Sequence, residues 1–355
     1  MRFGLIQRFG FSQTGSGGSI PIVVSAVNIA GAAVVNQTLT VSYTITGTPT
    51  VITRRWYRGA TLIFTSTSSD TYVLTQAEAG NTSNITCNVD ADGVSNATSN
   101  TVVQILDATW NDFKTTLSIT DATINSAMNT YTITRKAISA TASLGAYPMV
   151  GGTATTHSRN LYNPADSDAA KRITWAGTIT HNANGVQGNG VNGTGNTFIN
   201  ASTDFPSNDF TVIWYSRTNS AANQADFGVL NGSAAGLFLS SRWGDNNTYN
   251  GGQSNLNNAG NINPNTSGCF VFKRSGNTIT LTRNGSVIFT RTDASSVKVN
   301  NSIRVISRFY NASVDAFSAR QYTHYEFMNF ALDSTQETNI INAVIAKETA
   351  LIRNV

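Results

Sequence analysis

Residues 269–291, CFVFKRSGNTITLTRNGSVIFTRTD, constrain the fold more than any other stretch of this chain. Three short runs rich in β-branched and aromatic residues are separated by Ser275-Gly276-Asn277 and Asn284-Gly285, which are typical of hairpin turns. A slip of one residue would turn every side chain of a strand to the opposite face, so the apolar residues constrain the register. The stretch predicts an antiparallel meander with one buried face, the building unit of a β-sandwich.

The first turn sets the pairing of the first two strands. A two-residue loop at Ser275-Gly276 places Phe272 opposite Ile279 and Phe270 opposite Leu281. This pairing puts four large apolar side chains on one face of the hairpin, as a buried face requires.

The second turn allows two registers. A two-residue loop at Asn284-Gly285 pairs Leu281 with Ile288, whereas a three-residue loop with a left-handed glycine in a bulge pairs Leu281 with Val287. A buried Ile288 with an exposed Val287 would contradict the second register. We predict the three-residue loop because it gathers six apolar side chains on one face: Phe270, Phe272, Ile279, Leu281, Val287 and Phe289.

The surface is expected to be polar but nearly uncharged. Charged residues make up 12% of the chain, and Ser, Thr, Asn and Gly take their place, as is common among extracellular and virion β-proteins and uncommon among cytosolic enzymes. The net charge of +4 is dispersed, which disfavours nucleic-acid binding. Since no segment approaches about 18 consecutive apolar residues, no transmembrane helix is expected.

Residues 1–19 are predicted to be an apolar arm followed by a flexible linker, TGSGGS. The arm has no adequate hydrophobic core or cleavage site for a signal peptide. A frayed terminus is the usual fate of such a segment, but large apolar residues are a liability unless something covers them. We therefore expect five side chains to anchor the chain to a neighbouring protein: Phe3, Leu5, Ile6, Phe9 and Phe11.

Residues 20–107 carry about seven short alternating runs with turns between them, which suggests an immunoglobulin-like (Ig-like) sandwich. Trp56 stands where the core tryptophan of strand C would be, and Cys87 stands where the strand F cysteine would be. The predicted strand B, LTVSYTI, has no cysteine, and Ile85 replaces the tyrosine of the tyrosine corner. We expect Cys87 and Cys269 to be separate buried thiols, and the domain to be a spacer.

Residues 108–146 change to helical spacing, which predicts one or two amphipathic helices packed on the following domain. Residues 147–355 then carry many strands without alternating helices, which argues for a jelly-roll sandwich. A helix over 337–352 closes the chain, and Asp333 or Ser334 is expected to cap it.

Several segments resemble known families. WYRG…TYVLTQAEAGNTSNITCNV resembles bacterial and phage Ig-like domains, which lack the antibody disulfide. FTVIWYSRTN, the TLTRNGSVIF hairpin and HYEFMNFALDSTQET resemble a concanavalin A-like lectin/glucanase (laminin G-like) domain. Residues 119–197, with AYPMVGGTATTHSRNLYNP and GVQGNGVNGTGNT, are similar to structural proteins of tailed bacteriophages, among them crAss-like phages. The resemblance covers most of the chain and implies an Ig-like sandwich followed by a concanavalin A-like jelly roll with a few short helices.

Catalytic signatures are sparse. Glycan-cleaving members of the fold that the chain resembles set two or three acids on one strand face, since a retaining mechanism needs a pair of carboxyl groups. Glu326 in HYEFMNF has Tyr, Phe and Asn where partner carboxylates would stand, so we expect a structural Glu326 and no enzymatic activity. His157, His181 and His324 are isolated and have no zinc-binding spacing. The glycine-rich stretch 185–195 lacks the lysine of a P-loop.

Two loops offer oxygen ligands of the kind that calcium prefers. These are Asp245-Asn246-Asn247, and Asp166 with Asp168. Neither loop has the spacing of a known calcium cage, so solvated turn residues are the favoured interpretation. We expect no other cofactor.

Sugar binding is the function that the resembled fold invites. In RWGDNNTYNGG, Trp243, Tyr249 and Asn250 offer rings and an amide that stack on and hydrogen-bond a glycan. The alternative is that Trp243 ends a core strand and the remaining residues form a variable loop.

The sequence thus favours a non-enzymatic virion structural protein, a head fibre or decoration protein or a tail-associated fibre. Its arm would anchor it to capsid, portal or tail proteins, and its terminal domain would face outward or form homo-oligomers. The alternative is a receptor-binding adhesin that recognises host-surface polysaccharide through the concanavalin A-like domain. A glycan-degrading depolymerase is a third, weaker alternative. Neither nucleic-acid binding nor membrane insertion is expected.

Overall fold

The computed structural model describes residues 20–260, 263 and 265–355, with the backbone alone at 81 and 83. These residues form two compact units: residues up to 78 with 82–104, and residues 79–81 with 105–355. Among the described residues, no helix is long and apolar enough to cross a membrane. The side chains expected to anchor the arm lie outside the described residues: Phe3, Leu5, Ile6, Phe9 and Phe11.

The first unit is an antiparallel β-sandwich with an Ig-like strand arrangement. Its strands are β1 (Val23–Ala30), β2 (Thr38–Thr46), β3 (Ile52–Arg58), β4 (Thr61–Ser66), β5 (Thr71–Val73), β6 (Gly80–Ala91), β7 (Ser95–Thr98) and β8 (Val102–Ile105). One sheet has the order β1-β2-β5. The other has the order β4-β3-β6-β7, and β8 pairs with β6.

Trp56 and Cys87 lie at the centre of the first core. They are cross-strand partners on β3 and β6, and both are fully buried. Tyr72 on β5 stacks on the Trp56 ring with centroids 5.5 Å apart, so this contact joins the two sheets. Cys87 and Cys269 are both free and buried.

The second unit has three layers, two sheets and one layer of helices. Its strands are β9 (Gly145–Tyr147), β10 (Thr174–Ala176), β11 (Ile179–Asn182), β12 (Gly185–Gly188), β13 (Thr194–Asn200), β14 (Phe210–Ser216), β15 (Phe227–Leu230), β16 (Ala235–Ser240), β17 (Tyr249–Asn255), β18 (Asn257–Asn258), β19 (Gly268–Ser275), β20 (Thr278–Arg283), β21 (Ser286–Thr292), β22 (Ser302–Val305), β23 (Arg308–Tyr310), β24 (Ser313–Asp315) and β25 (Gln321–Met328). Its helices are α1 (Ala108–Thr116), α2 (Ala122–Ile138), α3 (Ala154–Ser158) and α4 (Ser334–Ala350).

The strands of the second unit form two mainly antiparallel sheets. The nine-stranded sheet has the order β10-β13-β22-β15-β16-β17-β18, with β23 paired to β15 and β24 to β23. The eight-stranded sheet has the order β11-β12-β25-β14-β19-β20-β21, with β9 paired to β25. The fold class expected from the sequence is confirmed as mainly β, with a first antiparallel sandwich followed by a larger domain of two packed sheets and a few helices.

Strand β14 contributes to two cores at once, because successive side chains point to opposite faces of a strand. Trp214 faces the nine-stranded sheet, where its ring lies 5.5 Å from that of Phe227. Ile213 faces the helices and belongs to the same cluster as Trp110 of α1 and Ile340 of α4. The eight-stranded sheet is therefore the middle layer.

Aspartate caps set the starts of the helices that cover this sheet. The Asp121 carboxylate accepts a hydrogen bond from the Ile124 amide at the start of α2. At α4, Asp333 accepts from the Gln336 amide, and the Gln336 side chain accepts from the Asp333 amide. This reciprocal capping box confirms the prediction that Asp333 or Ser334 caps the last helix.

Strands β19, β20 and β21 form the predicted meander, but the predicted position of the first turn is wrong by one residue. The loop is Gly276-Asn277, so Phe272 faces Leu281 and Arg274 faces Ile279. The pairing is shifted by two residues from the predicted one. Such a shift preserves which side chains share a face.

The predicted length of the second turn is also wrong. Asn284-Gly285 is a two-residue loop, and a bulge beyond it pairs Leu281 with Phe289. Both loop residues have positive φ, 47° and 83°, as in the hairpin turns whose twist matches that of the strands. The extra residue therefore falls within the strand, Val287 is 63% exposed, and Ile288 packs at the margin of the core.

Arg274 on β19 is buried and is held by main-chain carbonyl groups. Its Nη1 donates to Gly252 O at 2.7 Å and Gln253 O at 3.3 Å. Its Nη2 donates to Asp293 O and Ser295 O, and its Nε donates to Gly276 O. The planar guanidinium thus fastens β17 and the segment after β21 to the meander.

We expect Arg274→Lys to lower the free energy of unfolding by about 2–4 kcal/mol, because an ammonium group cannot reach all five acceptors and each buried carbonyl left unpaired costs about 1–3 kcal/mol. Urea denaturation measures the change. The control is Arg172→Lys, at a partly exposed surface arginine that pairs with Asp166 and Asp168. It should leave stability nearly unchanged, because such surface ion pairs contribute little. Equal effects of the two substitutions would contradict the structural role of Arg274.

Candidate functional site

An aromatic cleft of about 190 Å³ opens on the outer face of the nine-stranded sheet. Strand alternation builds it, because Leu237 and Leu239 of β16 enter the core between the sheets and Phe238 points outward. The other lining residues come from the β16–β17 loop, from β17, from the β17–β18 turn and from β23. The cleft is lined by Phe238, Trp243, Tyr249, Leu256 and Arg308.

The rings in the cleft surround a guanidinium group. Trp243 and Tyr249 meet edge to face, with centroids 5.9 Å apart and an interplanar angle of 65°. The guanidinium carbon of Arg308 lies 5.3 Å from the Phe238 ring centroid, 5.4 Å from that of Trp243 and 5.0 Å from that of Tyr310. These cation–π contacts hold the arginine in place.

Polar groups border the rings. Arg308 donates to both carboxylate oxygens of Asp315, at 2.7 Å and 3.0 Å. The Tyr249 hydroxyl donates to Asp245 at 2.7 Å and accepts from the Asn258 amide at 3.2 Å. The bond to Asp245 raises the pKa of Tyr249, and the same bond lowers the pKa of Asp245. The cleft thus combines apolar ring surfaces with hydrogen-bonding groups at its edge, as small-molecule sites do.

The structure brings together Trp243 and Tyr249 of the residues that the sequence points to, but not Asn250. Asn250 is completely buried and accepts a hydrogen bond from Arg291 Nε at 2.8 Å. Tyr249 and Asn250 are the first two residues of β17 and not a loop, so their side chains point to opposite sides of the sheet. Asn250 therefore does not face the cleft.

Sequence reasoning missed Arg308, Phe238 and Leu256. Phe238 lies in a run, AGLFLS, in which inward and outward residues are equally apolar. Arg308 reaches the cleft only through the parallel pairing of β23 with β15, which no local pattern indicates. The one available signal was RFY at residues 308–310, a cation beside two aromatic residues.

The acidic residues considered for calcium have other partners. Asp166 pairs with Arg159 and with Arg172, and Asp168 pairs with Arg172. Asp245 accepts from Tyr249 and from the Asn247 main-chain and side-chain amides. Across residues 20–355, apart from the three left undescribed, no group of three or more His, Cys, Asp or Glu side chains is placed to hold a metal ion.

Glu326 on β25 lies under the helices and is fully buried. It accepts from Arg135 Nε and from the Tyr131 hydroxyl, both at 2.8 Å, and also from Ser143. Although burial raises it, the pKa of Glu326 is held below its usual range by the Arg135 charge and by the hydrogen bonds. These partners give Glu326 a structural role.

A larger groove of about 860 Å³ runs between α2 and α4, lined mostly by Ala, Ser, Thr and Asn. Tyr131 and Lys347 line it too, but their polar groups bond inward. The Tyr131 hydroxyl donates to Glu326, and Lys347 Nζ lies 2.6 Å from Glu348 and 3.2 Å from His324 Nδ1. We assign the groove no ligand, because its functional groups are engaged within the fold.

No family model matches the chain, and no curated protein matches it. Among solved structures, domain 4 of AbnA, an extracellular arabinanase from Geobacillus stearothermophilus solved with arabinotriose, is 15% identical and has a TM-score of 0.36; the match covers 56% of this chain and 98% of that one. The binding domain of botulinum neurotoxin DC, in complex with rat synaptotagmin II, is 8% identical with a TM-score of 0.35, covering 50% of this chain and 48% of that one.

The K499G mutant of NanB sialidase from Streptococcus pneumoniae is 14% identical with a TM-score of 0.30, and the match covers 37% of this chain and 24% of that one. The chain thus spans less than half the length of the toxin domain and of the sialidase. TM-scores this low assign the chain to no family.

The histidines are isolated in sequence, but two of them meet in the fold. His157 Nδ1 lies 3.1 Å from His181 Nδ1, so one ring donates to the other. Burial, with His181 beside it, lowers the pKa of His157 to about 3. Burial, with Lys347 beside it, lowers the pKa of His324 to about 4. Burial also lowers the pKa of His181.

We expect the second unit to lose stability as the pH falls below about 6.5, the ordinary pKa of histidine. A base whose pKa is lowered by folding binds protons better when unfolded, so acid favours unfolding. The loss should begin near pH 6.5 and continue toward the folded-state pKa values of about 3 and about 4. Urea denaturation at stepped pH measures it. His157→Asn should reduce the slope between pH 6.5 and about 5.5, above the range in which carboxylates begin to take up protons. Stability that rises on acidification would contradict this expectation.

Proposed function

We propose that the second unit binds carbohydrate through the aromatic cleft. The observation that carries this proposal is the convergence of Trp243, Tyr249 and Arg308 from separate segments onto one outward-facing cleft. Phe238 belongs to a small buried cluster on this face, but Trp243 and Tyr249 are partly exposed, and partly exposed aromatic residues grouped on the outer face of a sheet favour a ligand site.

The chemistry of the cleft suits a sugar ring. The C–H face of a pyranose or furanose is apolar and packs on an aromatic side chain, while its hydroxyl groups need donors and acceptors around the edge. Arg308 supplies donors, Asp245 supplies an acceptor, and Asn258 supplies an amide beside the Tyr249 hydroxyl. Donors and acceptors fixed at these places recognise hydroxyls by their positions on the ring, which gives selectivity among sugars.

We propose that the unit binds its glycan without cleaving it. Most glycoside hydrolases use a carboxyl pair that flanks the scissile bond. Glu326, the strand acid in the position that the resemblance suggests, is bonded to Arg135, Tyr131 and Ser143 beneath the helices. It is therefore committed to the fold and not to the cleft.

A glycan array probed with the full chain tests the proposal, followed by titration of the best ligand. We expect Trp243→Ala and Tyr249→Ala each to weaken binding at least tenfold, which corresponds to about 1.4 kcal/mol. Trp56, Trp110 and Trp214 are fully buried, and Trp175 is partly buried like Trp243. The change in tryptophan fluorescence on ligand binding should therefore persist in Trp175→Phe and disappear in Trp243→Ala.

The matched control is Tyr57→Ala, which removes a partly buried tyrosine from β3 of the first unit and should leave glycan binding unchanged. Circular dichroism of each variant separates lost binding from lost folding. A silent array, or binding that survives both cleft substitutions, would overturn the proposal.

We further propose that the chain is a virion structural protein, a head fibre, decoration or tail-associated fibre protein, whose glycan ligand is host-surface polysaccharide. Three features of the sequence support this: the resemblance of residues 119–197 to tailed-phage structural proteins, the low charge, and the apolar arm. The arm would bind a capsid, portal or tail protein, and the chain would form a homo-oligomer in the virion.

Immunogold labelling of purified phage particles tests the virion location, and deletion of residues 2–13 tests the arm. We expect label on intact particles and strongly reduced incorporation of the shortened chain, because its five large apolar residues would be lost. A chain with residues 14–19 replaced by another Gly/Ser linker of equal length should incorporate normally. Unlabelled particles would contradict the location, and normal incorporation of the shortened chain would contradict the anchoring role.

A further inference from the structure

Arg308 is the one charged residue among the five that line the cleft. Its side chain is 15% exposed, and its guanidinium lies against the rings of Phe238, Trp243 and Tyr310. Rings on several sides fix the group, so its remaining N–H bonds point in set directions. The net charge that a ligand meets at Arg308 therefore depends on the residue that already pairs with the guanidinium.

That partner is Asp315, and the β23–β24 hairpin holds it in register. Arg308 and Asp315 are directly cross-strand, joined by a tight turn in which Asn311 and Ala312 have φ of 46° and 64°. Two positive-φ residues are the mark of the hairpin turn that matches strand twist. The carboxylate takes one hydrogen from Nε and one from Nη2, a bidentate pairing of fixed geometry.

The positive charge of Arg308 is consequently compensated at the cleft. Asp315 compensates Arg308, and Asp245 adds a second carboxylate beside Tyr249. A ligand carboxylate entering here would compete with Asp315 for the guanidinium and would meet two like charges. A sugar hydroxyl meets no such conflict, because it is itself uncharged and needs only a hydrogen bond from the Nη1 hydrogens that Asp315 does not take.

Building on the proposed carbohydrate binding, we infer that Asp315 makes the cleft selective for neutral sugars over acidic ones. Asp315 is a positioning residue: it orients the guanidinium toward the ligand and cancels its charge. Without the carboxylate, the same Arg308 becomes a binding site for the carboxylate of a uronic or sialic acid, since arginine binds carboxylates in a bidentate fashion.

The test compares the full chain with Asp315→Asn, which keeps the size of the side chain and one acceptor for Arg308. Binding is measured to neutral oligosaccharides and to their uronic acid counterparts of the same linkage. We expect the unsubstituted chain to prefer the neutral ligand, and Asp315→Asn to shift the ratio of the two affinities toward the acidic ligand at least tenfold, about 1.4 kcal/mol.

The matched control is Asp166→Asn, which makes the same charge change at an exposed aspartate on another loop, paired with Arg159 and Arg172. It should leave the ratio unchanged. A second measurement, on the unsubstituted chain, does not depend on the hairpin tolerating Asp315→Asn. The affinity of the unsubstituted chain for the neutral ligand should be insensitive to salt, since no ion pair forms with the ligand.

The outcomes separate the two proposals. If neither neutral nor acidic sugars bind, carbohydrate binding itself fails. If sugars bind but the unsubstituted chain takes acidic ones as well as neutral ones, or weakens with salt, the role of Asp315 is overturned while carbohydrate binding stands. An unchanged ratio in folded Asp315→Asn also overturns that role.

Discussion

Strand β14 is buried on both of its faces, and the second unit is built around this constraint. All seven residues of FTVIWYS are buried, so the strand needs an apolar layer on each side. Burying a large apolar side chain stabilises a fold by about 1.5–3 kcal/mol, and β14 contributes such side chains to both cores. The nine-stranded sheet covers one face, and α1, α2 and α4 cover the other.

Covering the middle sheet with helices creates the buried ionic network above it. Glu326 and His324 lie on the helix-facing side of β25, where Arg135 of α2 and Lys347 of α4 meet them. A buried charge is tolerated only when it is paired and hydrogen-bonded. Each ion here has such partners, which ties the helices to one position on the sheet. Glu326, the acid that most resembles a catalytic residue, is therefore engaged in contacts that hold the helices on the sheet.

Much of this could be predicted from the sequence, because side-chain alternation is a local signal. The meander, the core residue Trp56 and the Asp333 cap all follow from such signals. Strand β17 could not be predicted from the sequence, since YNGGQSN is poor in β-forming residues. Packing explains it: a Cβ on Gly252 would lie 2.8 Å from Ile279 Cδ1. The glycine makes room for a core side chain, and the misassignment of Asn250 follows from missing the strand.

The cleft likewise depends on a glycine that leaves space for the side chain of a neighbouring strand. A Cβ on Gly228 would lie 2.7 Å from the Phe238 ring, so this glycine on β15 lets Phe238 lie flat on the outer face of the sheet. Phe238 and Trp243 then both pack on the Arg308 guanidinium. Since helices occupy the outer face of the eight-stranded sheet, the nine-stranded sheet is the layer whose outer face remains for a ligand. Glycines that weaken the strand pattern in the sequence thus shape the cleft, and for this reason the cleft is visible only once the sheets are assembled.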